Sequence, residues 1–128
     1  MAQPNGDSAV FTPLDGVTAT TTSSALPIDD VKGVTWVFTR ADHDAGSTSF
    51  AVSVSLDGTT YITYNKLIDN VTNTNAQGLV RVAASSLVSD TSKTYQMDLD
   101  KEPWKFMKVT ATETTDGTHT AKAVLTYR

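Results

Sequence analysis

Residues 50–58, Phe50-Ala51-Val52-Ser53-Val54-Ser55-Leu56-Asp57-Gly58, put an apolar side chain at every second position and then break at Asp-Gly. A period of two is the mark of a strand with one buried face, because successive side chains of an extended chain leave on opposite sides. Phe50, Val52, Val54 and Leu56 therefore share a face, and Ala51, Ser53 and Ser55 share the other. Asp57-Gly58 supplies what a tight hairpin requires, since a primed turn needs positive φ and glycine adopts it at no steric cost. The returning strand is expected over 61–66, with Tyr61 and Thr63 on one face and Ile62 and Tyr64 on the other.

The same pattern recurs on both sides of this run. Upstream, Val34, Trp36 and Phe38 alternate with Thr35, Val37 and Thr39, which predicts a strand with a strongly aromatic face. Asp42-His43-Asp44-Ala45-Gly46-Ser47 separates it from Phe50 as a polar loop. Downstream, residues 69–78 read as a long polar connection, rich in residues that bond their own backbone in turns. Strands follow over 79–83 and over 94–99, the latter with Tyr95, Met97 and Leu99 on one face. After Pro103, residues 104–114 are extended, with Met107, Val109 and Ala111 facing one way and Phe106, Lys108 and Thr110 the other. Asp116-Gly117 gives a second hairpin signal, closing onto 120–127 and leaving His119 exposed just after the turn.

Residues 1–30 differ in texture. Pro4, Gly6, Pro13, Gly16 and Pro27 punctuate them, and 18–24 are polar with no apolar partner at every second place. They read as an extended N-terminal arm, with an edge strand near 17–22, ahead of a β-sandwich domain over 31–128. No segment of ten or more residues carries a 3.6-residue period. Threonine accounts for 22 of the 128 residues, and β-branched side chains suit a pleat better than a helix. Seven to eight short strands with regular turn signals predict an all-β antiparallel sandwich or jelly roll, with a closed barrel as the second architecture. No internal repeat is visible.

Composition narrows the function. A chain of 128 residues with 39% hydrophobic and 19% charged residues has the size of one domain and is too apolar for a disordered chain. No apolar stretch approaches the roughly 18 to 20 residues of a membrane-spanning helix. The first residues lack a basic region followed by an apolar run, so no secretory signal is expected, and Asn70-Val71-Thr72 reads as a chance glycosylation match in a threonine-rich chain. With no cysteine there is no disulfide, thiolate zinc site or cysteine nucleophile. A net charge of −4 with dispersed basic residues, Lys105, Lys108 and Lys122 forming only a small local group, argues against nucleic acid as a partner.

Catalytic signatures are missing as well. Gly-x-Ser-x-Gly does not occur, and the chain has two histidines, His43 and His119. Asp42-His43-Asp44 offers oxygen and nitrogen ligands, but one imidazole without a second His or Cys makes a poor transition-metal site, and the EF-hand spacing is absent. Asp98, Asp100 and Glu102 read as a solvated strand end rather than the carboxylate pair of a glycosidase. No enzyme activity, metal or other cofactor is expected. Among the aromatics, Trp36, Phe38 and Phe50 belong to a core by their alternation. Trp104, beside Pro103 and between Glu102 and Lys105, suits an exposed contact.

The stretch 50–61, joined late in the chain by Trp104-Lys105-Phe106-Met107-Lys108-Val109, is similar to a pattern of discoidin-like jelly rolls. There a strand runs into a Ser-x-Asp-Gly hairpin and an aromatic-basic-Val strand returns beside it. With the threonine-rich tail over 109–117, the chain also resembles small β-sandwich proteins of tailed bacteriophage virions, in particular capsid decoration or cement proteins. The likeness extends over 32–127. Discoidin modules usually carry ligand-binding spikes and often a disulfide, which this chain lacks, so the virion reading leads. It implies a non-enzymatic structural protein on the capsid exterior, assembled in the host bacterial cytoplasm and bridging neighbouring major capsid proteins. It also implies homo-oligomers, trimers at local threefold positions, and no nucleic-acid or membrane partner. Pro4, Asn5, Phe11, Pro13 and Trp104 are the expected capsid contacts. The alternative is a carbohydrate-binding module of a phage fibre or adhesion protein, stacking sugar on Trp104 with Tyr64 or Tyr95.

Overall fold

A computed structural model of the chain describes residues 8–41, 48–64, 67–75, 78–83, 87–89, 92–113 and 116–128. Within them the chain is all-β. Its strands are β1 (Ser8–Val17), β2 (Thr21–Thr22), β3 (Leu26–Pro27), β4 (Val31–Ala41), β5 (Thr48–Ser55), β6 (Ile62–Thr63), β7 (Leu67–Asn75), β8 (Gly78–Ala83), β9 (Leu87–Ser89), β10 (Ser92–Asp98), β11 (Phe106–Glu113) and β12 (Thr118–Tyr127). One antiparallel sheet has the order β1-β12-β4-β10-β7-β8; the other has β2-β11-β5-β6, with β3 also on β11 and β9 also on β5. Two sheets, each buried on one face, form a sandwich rather than a closed barrel.

The core is built in layers set by register. Register pairs the inward residues of the four central strands within each sheet: Val34 with Leu125, Trp36 with Ala123 and Phe38 with Ala121 on β4 and β12, and Val54 with Met107, Val52 with Val109 and Phe50 with Ala111 on β5 and β11; the Phe38–Phe50 stack joins the two sheets across the core. All twelve are buried. Each of the three rings has an alanine for its cross-strand partner, Trp36 with Ala123, Phe38 with Ala121 and Phe50 with Ala111, which leaves room for Trp36, Phe38 and Phe50 to stack, with centroids 5.4 Å and 4.2 Å apart in turn. Met97 Sδ accepts the Trp36 indole N–H at 3.1 Å, so the largest side chain enters the core with its polar atom satisfied. Removing one such aromatic ring would cost about 3–5 kcal/mol.

A fourth layer continues the same alternation with different chemistry. Arg40 lies opposite His119, and Thr48 opposite Glu113. Arg40, Thr48 and His119 are buried. His119, expected at the surface after a hairpin, is therefore an inward residue of β12 with no exposed area. The reason is that the second Asp-Gly does not close a hairpin: β11 and β12 lie in different sheets, and Asp116-Gly117 carries the chain across the sandwich.

Other departures have equally local causes. Leu56 was expected inside but is 54% exposed, because β5 ends at Ser55, whose hydroxyl takes the N–H groups of Asp57 and Gly58 and turns the chain. The return after Asp57-Gly58 is a six-residue loop followed by the short β6; Tyr64 is buried while Ile62 is exposed, so the two do not share a face as alternation would have it. Residues 69–75, read as a connection, belong to β7, which pairs with both β8 and β10. Backbone ladders hold that strand although its sequence carries no apolar alternation. Of the segment read as an arm, residues 8–27 are extended and woven into both sheets: β1 runs along β12, and β2, Ser23 and β3 bond to β11. Leu14, Leu26 and Ile28 from this segment join the core.

Candidate functional site

Among the described residues β1 is hydrogen-bonded on one side alone, to β12, and so presents an open sheet edge. Its pairing is regular over four residues, Ser8 to Phe11 against Thr126 to Ala123. From Phe11 to Leu14 and again from Leu14 to Val17, three steps on β1 match two on β12, which puts an irregularity in each interval. Pro13 falls in the first, where an edge strand tolerates a missing N–H. Gly16, at φ +64°, falls in the second and donates its N–H to Thr120 Oγ1 at 3.1 Å. Bulges of this kind twist an edge away from further pairing, so the segment after Phe11 is blunted and the one before it is not.

The unblunted part is also apolar. Val10 is 60% exposed on the outer face, and Phe11, opposite Ala123, is 38% exposed at the rim of the core. Leu14, 2% exposed, pins the strand a few residues on. An open backbone edge next to two large apolar side chains can accept another chain by strand addition, the main-chain bonds giving affinity and the side chains specificity. Of the expected contacts, Phe11 and Pro13 lie on this strand. Pro4 and Asn5 fall outside the described residues, as does Asp42-His43-Asp44.

Trp104 sits elsewhere and is partly buried. Its ring packs against the core and its indole N–H donates to Glu102 Oε1 at 3.0 Å. The other oxygen of the same carboxylate accepts the Tyr64 hydroxyl at 2.9 Å. Burial, then the hydrogen bond and charge of Glu102, hold the Tyr64 phenol well above the usual tyrosine range. Tyr64 and Tyr95 are buried, so neither offers a face for stacking on sugar. The structure thus joins Trp104 and Tyr64, but through a carboxylate that occupies both polar atoms.

Sequence reasoning missed the polar fourth layer. Thr48 Oγ1 lies 2.9 Å from His119 Nδ1, and His119 Nε2 lies 3.6 Å from Glu113 Oε1. The order hydroxyl, imidazole, carboxylate is that of a nucleophile relay, yet Thr48 and His119 have no exposed surface through which a substrate could reach the hydroxyl. The signal was present: Arg40 continues Val34-Trp36-Phe38, Glu113 continues Met107-Val109-Ala111, and His119 precedes Ala121-Ala123-Leu125 at the same spacing.

Fold and edge together define an antiparallel β-sandwich with one partly blunted edge strand. That architecture is similar to the crystal structure of the SPBc2 prophage-derived protein YomS, with a TM-score of 0.71 over 98% of each chain. Sequence identity is 13%, so the likeness is one of fold. No protein-family model matches the sequence, and no curated protein matches it.

Proposed function

We propose that this chain is a structural protein of a tailed bacteriophage virion that decorates the capsid exterior and bridges neighbouring major capsid proteins. The observation that carries the reading is the β1 edge, where Ser8 to Phe11 pair regularly with β12 and Val10 and Phe11 stand exposed. The full-length fold likeness to a prophage-derived protein supports a phage setting. On this reading the protein works without catalysis or cofactor, is assembled in the host cytoplasm, and makes its contacts through the β1 edge, the residues before it that include Pro4 and Asn5, and its own copies.

Co-sedimentation with candidate phage capsids tests this. The native chain should bind saturably at a fixed ratio to the major capsid protein. A chain lacking residues 1–7 and the V10D/F11D double variant should each bind at least tenfold more weakly, while their melting temperatures stay within a few degrees of native. Absence of binding to every capsid tried, or undiminished binding by both variants, would overturn the proposal.

A further inference from the structure

We propose that His119 is a proton-operated latch between the two sheets, tied to the opposite sheet by Thr48 alone when neutral and by Thr48 and Glu113 together when protonated. His119 belongs to β12, while Thr48 and Glu113 belong to β5 and β11, so both contacts cross the sandwich. In the three layers below, the sheets meet through apolar side chains. Here they meet through directional groups. The Thr48 hydroxyl lies 2.9 Å from Nδ1, and in the neutral tautomer whose proton sits on Nδ1 the buried Nε2 is an acceptor with no hydrogen-bond partner. An unpaired buried ring nitrogen is costly. The nearest acceptor, Glu113 Oε1, stands 3.6 Å away on a side chain one-fifth exposed at the end of its strand, where less than about 1 Å of movement would bring it into charge-assisted bonding range.

A protonated ring would draw the Glu113 carboxylate toward Nε2. Among the described residues, His119 lies beside Arg40 on β4 and Val17 on β1, and faces Thr48 on β5 and Glu113 on β11. The Arg40 guanidinium is turned to the Asp116 carbonyl and carboxylate. An imidazolium donates from both nitrogens, to Thr48 Oγ1 and Glu113 Oε1, and needs no other rearrangement. An imidazolium held in this way adds a sheet-to-sheet bond that the neutral ring lacks, and a pH-dependent melting temperature reads that added bond.

The test uses the full chain with His43→Gln, which leaves His119 as its one histidine, melted at about pH 8 and pH 5.5 with the ring nitrogens followed by NMR. Both nitrogens should carry protons at the lower pH, and the melting temperature should gain several degrees between the two. Adding Glu113→Gln should abolish the gain. Thr48→Val should lower the melting temperature at both pH values by a similar amount and leave the gain in place. A ring that stays neutral at pH 5.5, or a gain that survives Glu113→Gln, would overturn the latch.

Discussion

Asp-Gly occurs at 57–58 and at 116–117, and the fold uses the two dipeptides in opposite ways. Asp57-Gly58 stays within one sheet, in the loop that leaves β5 and comes back to it as β6. The Asp57 carboxylate organises that loop itself: its Oδ1 accepts the N–H groups of Thr59 at 2.8 Å and Thr60 at 2.9 Å and the Ser55 hydroxyl at 2.9 Å. Asp116-Gly117 changes sheets, and what organises it comes from a distant strand. The buried Arg40 guanidinium on β4 binds the Asp116 carbonyl through Nε at 3.2 Å and through Nη2, and the carboxylate at 3.2 Å. A dipeptide therefore specifies that the chain turns; its hydrogen-bond partners decide which sheet it turns into.

The sharpest way to break this contrast is Gly117→Ala. Gly117 has φ +124°, and an added Cβ would stand 3.0 Å from Arg40 Nε and 3.3 Å from the Ala41 carbonyl. Backbone and a packed guanidinium cannot both give way. Strain at this φ together with loosened Arg40 bonds should cost ~3 kcal/mol or more, read as a large drop in urea midpoint with unchanged slope. Gly58→Ala should cost less. Its φ of +80° carries a penalty of about 1–2 kcal/mol, and the neighbour at 3.2 Å is the partly exposed Phe106 ring, which can tilt aside. Equal losses in the two variants would mean that the crossing is no more constrained than the local loop.

What the sequence made legible follows the same division. Alternation identified the inward faces of β4, β5, β10 and β11, because burial of one face leaves a period of two in the residues themselves; Val34, Trp36, Phe38, Tyr95, Met97, Met107 and Val109 are all buried. Partner choice between strands leaves no such trace. That is why Asp116-Gly117 read as a hairpin, and why β7, held by β8 and β10 through backbone bonds, read as a loop. His119 was misplaced for a related reason: its polarity and its nearness to a turn outweighed a spacing that put it in line with Ala121 and Ala123. At the candidate docking edge, Phe11 and Pro13 entered only as contacts that the virion resemblance implies. The ladder to β12 that makes β1 an edge strand was not legible, since it joins residues more than a hundred positions apart.

The smallest expected effect, and the most diagnostic of a self-organised loop, is the pH response of Asp57→Asn. Backbone N–H bonds from Thr60 and Thr59, then the Ser55 hydroxyl, hold the Asp57 carboxyl below the ordinary aspartate value of 3.8. A carboxyl depressed on folding contributes stability that is fully present above its unfolded value and is lost as pH falls through the folded one. Asparagine keeps a carbonyl acceptor but no charge, so it retains the loop's geometry and removes only the titratable part. Native chain and variant should therefore differ slightly in melting temperature at pH 6, and the difference should close below pH 3.8 as the native carboxyl takes up its proton. The same substitution at Asp116 would leave in place the backbone carbonyl that Arg40 also binds, so its effect should come from the guanidinium's lost charge partner and not from loop geometry. If Asp57→Asn shows a constant deficit down to pH 2, the charge is not what organises the 55–60 turn, and the two Asp-Gly sites differ only in where they lie.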